Sequence, residues 1–156
     1  MRRKDREVTD PDKIRQIIKD SHCIRIGFVE EGQVYIVPLN FGFVETDGTY
    51  TFYFHGALQG RKIDLIKKSP LVGFELDANY KLQPGEMACD YTAAFQSIIG
   101  NGTMKLLETD QEKREGLQII MNQYSDKKDW EFPDAMLKQV AVFTLQVTSL
   151  SCKIHL

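Results

Sequence analysis

The chain has 156 residues, 42% of them apolar and 27% charged, which fits one globular domain (1–156) able to bury a core of its own. A formal net charge of -2 leaves no basic field to attract nucleic acid, so short cationic runs such as Arg2-Arg3-Lys4 and Lys67-Lys68 read as solvated surface. No apolar run reaches the ~20 residues of a membrane span. The charged start, Arg2 to Glu7, has no apolar segment behind it and is not read as a secretory leader, so a cytoplasmic location is expected.

Three widely spaced cysteines, Cys23, Cys89 and Cys152, form neither a CxxC pair nor a Cys/His cluster, so neither a disulfide framework nor a metal site is expected.

In chain order, Thr9 is the expected N-cap of a first helix, with Pro11 inside its first turn. Ile14, Ile17 and Ile18 have the spacing of one buried face over Asp12–Asp20. Cys23–Val29 reads as a strand, and Glu31-Gly32 as a turn. Val34–Phe43 reads as a second strand, broken in character by Pro38, which cannot donate to a sheet ladder and so belongs at an edge, a bulge or a junction. Asp47-Gly48 is the strongest hairpin signal. Thr49–Phe54 follows, with Tyr50, Phe52 and Phe54 on one face. His55 is then expected in a loop, and Gly60-Arg61-Lys62 opens an amphipathic helix ending at Ser69-Pro70.

Leu71–Leu76 is a further strand, and the polar 77–87 stretch with Pro84-Gly85 is read as a loop. Ala93–Leu107 reads as two strand segments, or one long bent strand, around Gly100 and Gly102. Asp110–Tyr124 is a helix capped by Asp110, with Leu117, Ile120 and Met121 on its apolar face. A polar segment carries Trp130 and Phe132, Pro133 starts a short helix, and Val140–Leu150 is the closing strand. About six strands joined mostly by short turns, with helices outside, point to a mainly β fold: an antiparallel barrel with helical additions.

Chemistry concentrates between Tyr35 and Lys68. His55 follows an aromatic strand and precedes a glycine, but no serine or cysteine is placed with it as a nucleophile. Gly60-Arg61-Lys62 combines a close-approach glycine, two cations and free N–H groups at a helix start; this suits a phosphate monoester, or is a turn followed by surface cations. It is not a Walker loop, and no GxGxxG follows a strand. Val37-Pro38-Leu39-Asn40 offers backbone groups to the edge of a planar heterocycle, or is an ordinary edge strand with a bulge. Trp130, the only tryptophan, either covers an aromatic ligand or anchors its loop. Asp90 and Tyr91, beside Cys89, are equally open.

The motifs VPLNF (37–41), YFH (53–55), GRK (60–62), CDY (89–91) and SIIGNG (97–102) occur in an order that resembles the nitroimidazole-resistance proteins. These belong to the pyridoxamine 5'-phosphate oxidase-like, flavin-binding split-barrel superfamily. The opening MRRKDRE, the late WEFP (130–133) and the terminal Lys153 and His155 share the resemblance, which spans almost the whole chain.

The resemblance implies a six-stranded antiparallel split barrel, dimerised with a second copy and holding flavin mononucleotide (FMN) at the subunit interface, with flavin adenine dinucleotide (FAD) the alternative. It places Val37, Pro38, Leu39 and Asn40 against the isoalloxazine, Phe54 and His55 beside it, Gly60, Arg61 and Lys62 on the phosphate, and Ser97 nearby; Trp130 joins the cofactor contacts. His55 is the implied catalytic residue. Ala94 and Gln96 stand where basic residues are expected before the SIIG run. The implied activity is reduction of a small acceptor, such as a nitroaromatic, by a nicotinamide donor. The alternatives are a flavin-binding protein that stores or senses its cofactor, and a barrel dimer serving only as a scaffold.

Overall fold

The computed structural model describes residues 3–156; Met1 and Arg2, and with Arg2 the first member of the cationic run, lie outside the described residues. The strands are β1 (Glu7–Val8), β2 (Ile24–Glu30), β3 (Gln33–Leu39), β4 (Gly42–Thr46), β5 (Thr49–Ala57), β6 (Leu71–Gln83), β7 (Thr92–Leu106) and β8 (Val140–His155). The α-helices are α1 (Pro11–Asp20), α2 (Arg61–Lys68), α3 (Asp110–Tyr124) and α4 (Asp134–Leu137). The fold is mainly β, as expected. The sheet has eight strands where six were expected: β1 is a two-residue addition to β8, and one predicted strand divides into β3 and β4.

The strands run β3-β2-β6-β7-β8-β5-β4 across the sheet, with every neighbouring pair antiparallel. Consecutive strands β3 and β4 therefore occupy opposite edges, yet only Asn40 and Phe41 separate them. So short a link spans roughly 10 Å at most, so the edges must converge there. The sheet curls into a barrel that closes at the Leu39–Gly42 step.

Pro38 lies on an edge strand, one of the placements expected for it, and does not break β3. Pro38 pairs with Arg25 and Leu39 with Ile24, and the strand ends only at Leu39. Pro38 is tolerated because β3 is an edge strand, where a missing donor breaks no ladder. The step itself is held by α3: the Phe41 N–H donates to the Tyr124 hydroxyl (3.0 Å), which donates to the His22 carbonyl (3.1 Å). At Gly42, a Cβ would lie 2.3 Å from the Ile119 carbonyl oxygen, so only glycine lets α3 and β4 come this close.

Both hairpin turns form as read, with Glu31 and Gly32 at φ 52° and 78°, and Asp47 and Gly48 at 51° and 76°. Both predicted N-caps move by one residue. Asp10, not Thr9, accepts from the Asp12 N–H and puts Pro11 at the first helical position. Thr109, not Asp110, caps α3 in a reciprocal box with Glu112. The 77–87 loop begins late: β6 continues to Gln83 and pairs with β7, absorbing its polar run through a bulge at 78–81 where Asn79 has φ 56°. The Ala93–Leu107 region is one continuous strand with a register shift at Asn101/Gly102.

Alternation along the strands fills the barrel with Ile24, Ile26, Phe28, Phe52, Phe54, Phe74, Leu76, Ile98, Phe143 and Leu145. α1 adds Ile14, Ile17 and Ile18, and α2 adds Ile63, Leu65 and Ile66 to the same core. α3 packs outside the β5–β8 wall, where Leu117, Ile120, Leu137 and Val142 make a smaller second cluster.

Candidate functional site

The candidate site is the end of the barrel at which β2 and β5 finish and α2 begins. Three tyrosine or phenylalanine side chains on β5 point inward, so Gly56, two residues after Phe54, lies on the inner face as well. A Cβ at Gly56 would lie 2.9 Å from Lys62 Cε and Nζ; the glycine makes room for the Lys62 side chain, whose ammonium lies 5.9 Å from the centre of the Phe143 ring.

Gly60 precedes α2 with φ 128° and ψ 167°, a backbone region open essentially to glycine alone, and its carbonyl accepts from the Ile63 and Asp64 N–H groups. No side chain caps this helix, so the Arg61 and Lys62 N–H groups have no partner within it and are available to an anion. Space is open beside Gly60.

Arg61 turns to the opposite wall. Its Nε donates to Glu30 Oε2 at 3.0 Å, its Nη2 stands at 3.0 Å from the same oxygen, and its guanidinium carbon lies 4.4 Å above the Tyr35 ring. The start of α2 thus bridges the barrel mouth, with Arg61 on the β2–β3 hairpin and Lys62 over β5 and β8.

His55 corrects the expectation of a loop histidine. It lies within β5, opposite Val142, with its side chain on the outer face. Desolvation by its neighbours, and then the positive charge of Lys62, push its pKa below the ordinary imidazole value. The ring is therefore neutral at pH 7 and able to donate from one nitrogen and accept at the other.

The remaining predicted residues divide. Pro38 and Asn40 face solvent, whereas Val37 is half-buried against the core and Leu39 is buried in it. Phe54 is 0% exposed and stacks on Phe143 with ring centres 5.5 Å apart, so it shapes the wall from within and does not reach a ligand. Ser97 is not brought to this corner within one chain. It pairs with Asp77 and Lys153, whereas the segment following α2 meets β7 at Met104, whose N–H donates to Pro70. Seven residues of strand place Ser97 about 20 Å from Met104.

Trp130 is also elsewhere. Together with Phe132, Arg114, Glu115, Gln118 and Ile119 it lines a cavity of about 480 Å³ outside α3. Lys127 stands 4.3 Å above its ring, and its Nε1–H is buried without an acceptor. Arg114 ties this segment to α3 by donating to the Phe132 carbonyl and to Asp134.

Sequence reasoning missed Glu30 and Tyr35. The available signal was the Glu31-Gly32 turn: its register sets Phe28 opposite Tyr35 and Glu30 opposite Gln33, which puts Glu30 and Tyr35 on the same inner face. Among the described residues, no three His, Cys, Asp or Glu side chains converge as metal ligands, and no helix is long and apolar enough to cross a membrane.

The sequence profile of the pyridoxamine 5'-phosphate oxidase family matches residues 10–154, from the cap of α1 to the end of β8. The chain belongs to this family. Its structure is similar to that of a candidate 5-nitroimidazole antibiotic resistance protein from Bacteroides thetaiotaomicron, with 28% identity and a TM-score of 0.81, over 95% of this chain and 86% of that one. An FAD- and haem-binding protein from Mycobacterium smegmatis has 14% identity and a TM-score of 0.83, over 96% of this chain and 73% of its own. An FAD-binding protein from Mesorhizobium loti has 17% identity and a TM-score of 0.67, over 97% and 98%. The last two establish that this family member has the split-barrel fold of flavin-binding proteins. No curated protein matches the chain at a significant level.

Gly56, Gly60, Arg61 and Lys62 fit a flavin phosphate: an uncapped helix start, a cation on each of the two walls beside it, and glycines where a Cβ would obstruct the lysine or strain the turn.

Proposed function

We propose that the protein binds FMN and acts as a flavin-dependent reductase, passing two electrons from a reduced nicotinamide to a small acceptor of the nitroaromatic class. The observation that carries this reading is the start of α2, where Gly60, Arg61 and Lys62 supply free N–H groups and two cations at the barrel mouth. The described cations and first-turn amides match one phosphate monoester, which favours FMN over FAD.

The flavin, when bound, supplies the hydride and electron chemistry. The chain's own residues hold and orient it. Arg61, Lys62 and the first-turn amides take the phosphate, and the solvent-facing Pro38 and Asn40 adjoin the ring. The neutral imidazole of His55 orients the ring or the acceptor by a hydrogen bond without adding charge. The acceptor class is supported by the 28% identity to the nitroimidazole-resistance candidate.

A second copy completes the site in this reading. Val34, Ile36, Val29, Leu71 and Ile99 lie exposed on the outer face of β3, β2, β6 and β7, which no described helix covers; Gly27 and Gly73 leave a hollow among them, bordered by the Arg25–Glu75 ion pair. A sheet face with exposed aliphatic residues around a charged centre is a surface for association. Ser97, remote within one chain, would then reach the cofactor from the partner.

Anaerobic mixing of the purified, flavin-loaded protein with reduced nicotinamide tests the activity. Bleaching of the flavin bands, followed by their return on adding a nitroimidazole, is the expected result. Bands that stay unchanged with both NADH and NADPH contradict the reductase and leave a flavin-binding protein without turnover.

A further inference from the structure

We infer that Glu30 and Tyr35, on the β2–β3 hairpin, are positioning residues that hold Arg61 as a preset fork for the phosphate; this rests on the FMN reading above. Three features of the Arg61 environment carry it. Its Nε donates to Glu30 Oε2 at 3.0 Å, and its Nη2 stands 3.0 Å from the same oxygen. One face of its guanidinium is covered by the Tyr35 ring at 4.4 Å. The Nη1 group and the outer N–H of Nη2 remain as donors, and the neighbouring helix start has no cap of its own.

The Glu30–Arg61 pair is partly exposed, with side-chain accessibilities of 31% and 52%, and such pairs contribute little to stability. Its consequence is directional. A long, flexible cation at a barrel mouth would lose rotamer freedom on meeting a phosphate; here much of that ordering precedes the ligand. The Tyr35 ring fixes the plane of the guanidinium, and the Glu30 carboxylate fixes its rotation in that plane. Lys62 is set independently, by Gly56 and Phe143, so the two cations flanking the helix start rest on walls that do not share supports.

The geometry separates Glu30 from a competitor for the same cation. A carboxylate occupying the outward edge of Arg61 would have to be displaced by the phosphate. Glu30 holds the Nε side, which leaves the Nη1 side for the ligand.

The test compares binding of FMN and riboflavin, which differ only in the phosphate, to the full chain freed of co-purified flavin by dialysis. Quenching of flavin fluorescence is the readout, and circular dichroism confirms that each variant is folded. Glu30→Ala and Tyr35→Leu are expected to weaken FMN about three- to tenfold and leave riboflavin unchanged. Tyr35→Phe, which keeps the ring, is expected to bind FMN like the parent. Glu30→Gln, which keeps an acceptor oxygen, is expected to lose less than Glu30→Ala.

Parallel loss of FMN and riboflavin would reduce both residues to general supports of the barrel mouth and overturn the inference. So would unchanged FMN binding. Tighter FMN binding in Glu30→Ala would make the carboxylate a competitor. If the parent chain binds FMN and riboflavin equally, Arg61 is not a phosphate ligand although the flavin reading stands; if it binds neither, the flavin reading itself fails.

Discussion

At the scale of single residues, the ammonium of Lys62 lies close enough to the imidazole of His55 to disfavour its protonation. Desolvation is the larger cause of the lowered His55 pKa, and Lys62 the smaller. The titration midpoint measured by NMR should fall below the ordinary 6.5 in the parent and move upward, without fully returning, in Lys62→Met. Because the folded midpoint lies below the unfolded one, the unfolded chain binds more protons between the two. Acidification through that window therefore weakens the fold, and the contribution is fully present only above the unfolded value. An unchanged midpoint in Lys62→Met would remove Lys62 from the corner. His55→Ala should retain bound flavin while changing its reaction with acceptors; complete loss of flavin from a folded variant would make His55 a structural ligand.

At the scale of elements, α3 does more than cover one wall. The hydroxyl of its last residue, Tyr124, bridges two distant backbone segments: it accepts from the Phe41 N–H at the β3–β4 step and donates to the His22 carbonyl before β2. Its neighbour Gln123 donates to the Ile18 and Lys19 carbonyls at the end of α1. Tyr124→Phe should lower unfolding stability by about 1 kcal/mol, read from urea denaturation. Gly42→Ala is the harsher change, because the added Cβ meets helix backbone rather than a flexible side chain; a loss of about 1–3 kcal/mol is expected. If Gly42→Ala costs nothing, α3 does not press on β4 as described.

These contacts also show which features could be read from sequence and which could not. Glu31-Gly32 and Asp47-Gly48 were legible because a tight hairpin demands positive φ at both turn positions, a local requirement written in the residue types. The end of β3 was not, because it is decided by convergence of the two sheet edges and by Tyr124, 83 residues beyond the Phe41 it binds. Pro38, the visible breaker, proved harmless on an edge strand. The polar half of β6 was hidden for a similar reason: it is ordered by pairing with β7, not by a core of its own. The helix caps were ambiguous between adjacent good capping residues, and Pro11 settled one case by occupying the first helical position. Within the site, Gly60, Arg61 and Lys62 were legible because they are consecutive. Glu30 was not, since its partner Arg61 is 31 residues away.

At the scale of the whole molecule, the barrel is covered by α3 on one side and bare on another. The bare face carries Ile36, Val34 and Leu71 at 62%, 65% and 69% exposure. Light scattering should give twice the chain mass, and Ile36→Lys should shift it toward the monomer and weaken flavin binding together. A monomeric parent would refute the two-copy site. The central claim is that this member of the pyridoxamine 5'-phosphate oxidase family holds FMN by the start of α2. It is tested most directly by releasing the small molecules from the purified protein and identifying them. The account predicts FMN, close to one per chain, and its loss in a folded Arg61→Ala/Lys62→Ala double variant. A protein that carries no flavin and takes up none when FMN is added would contradict it.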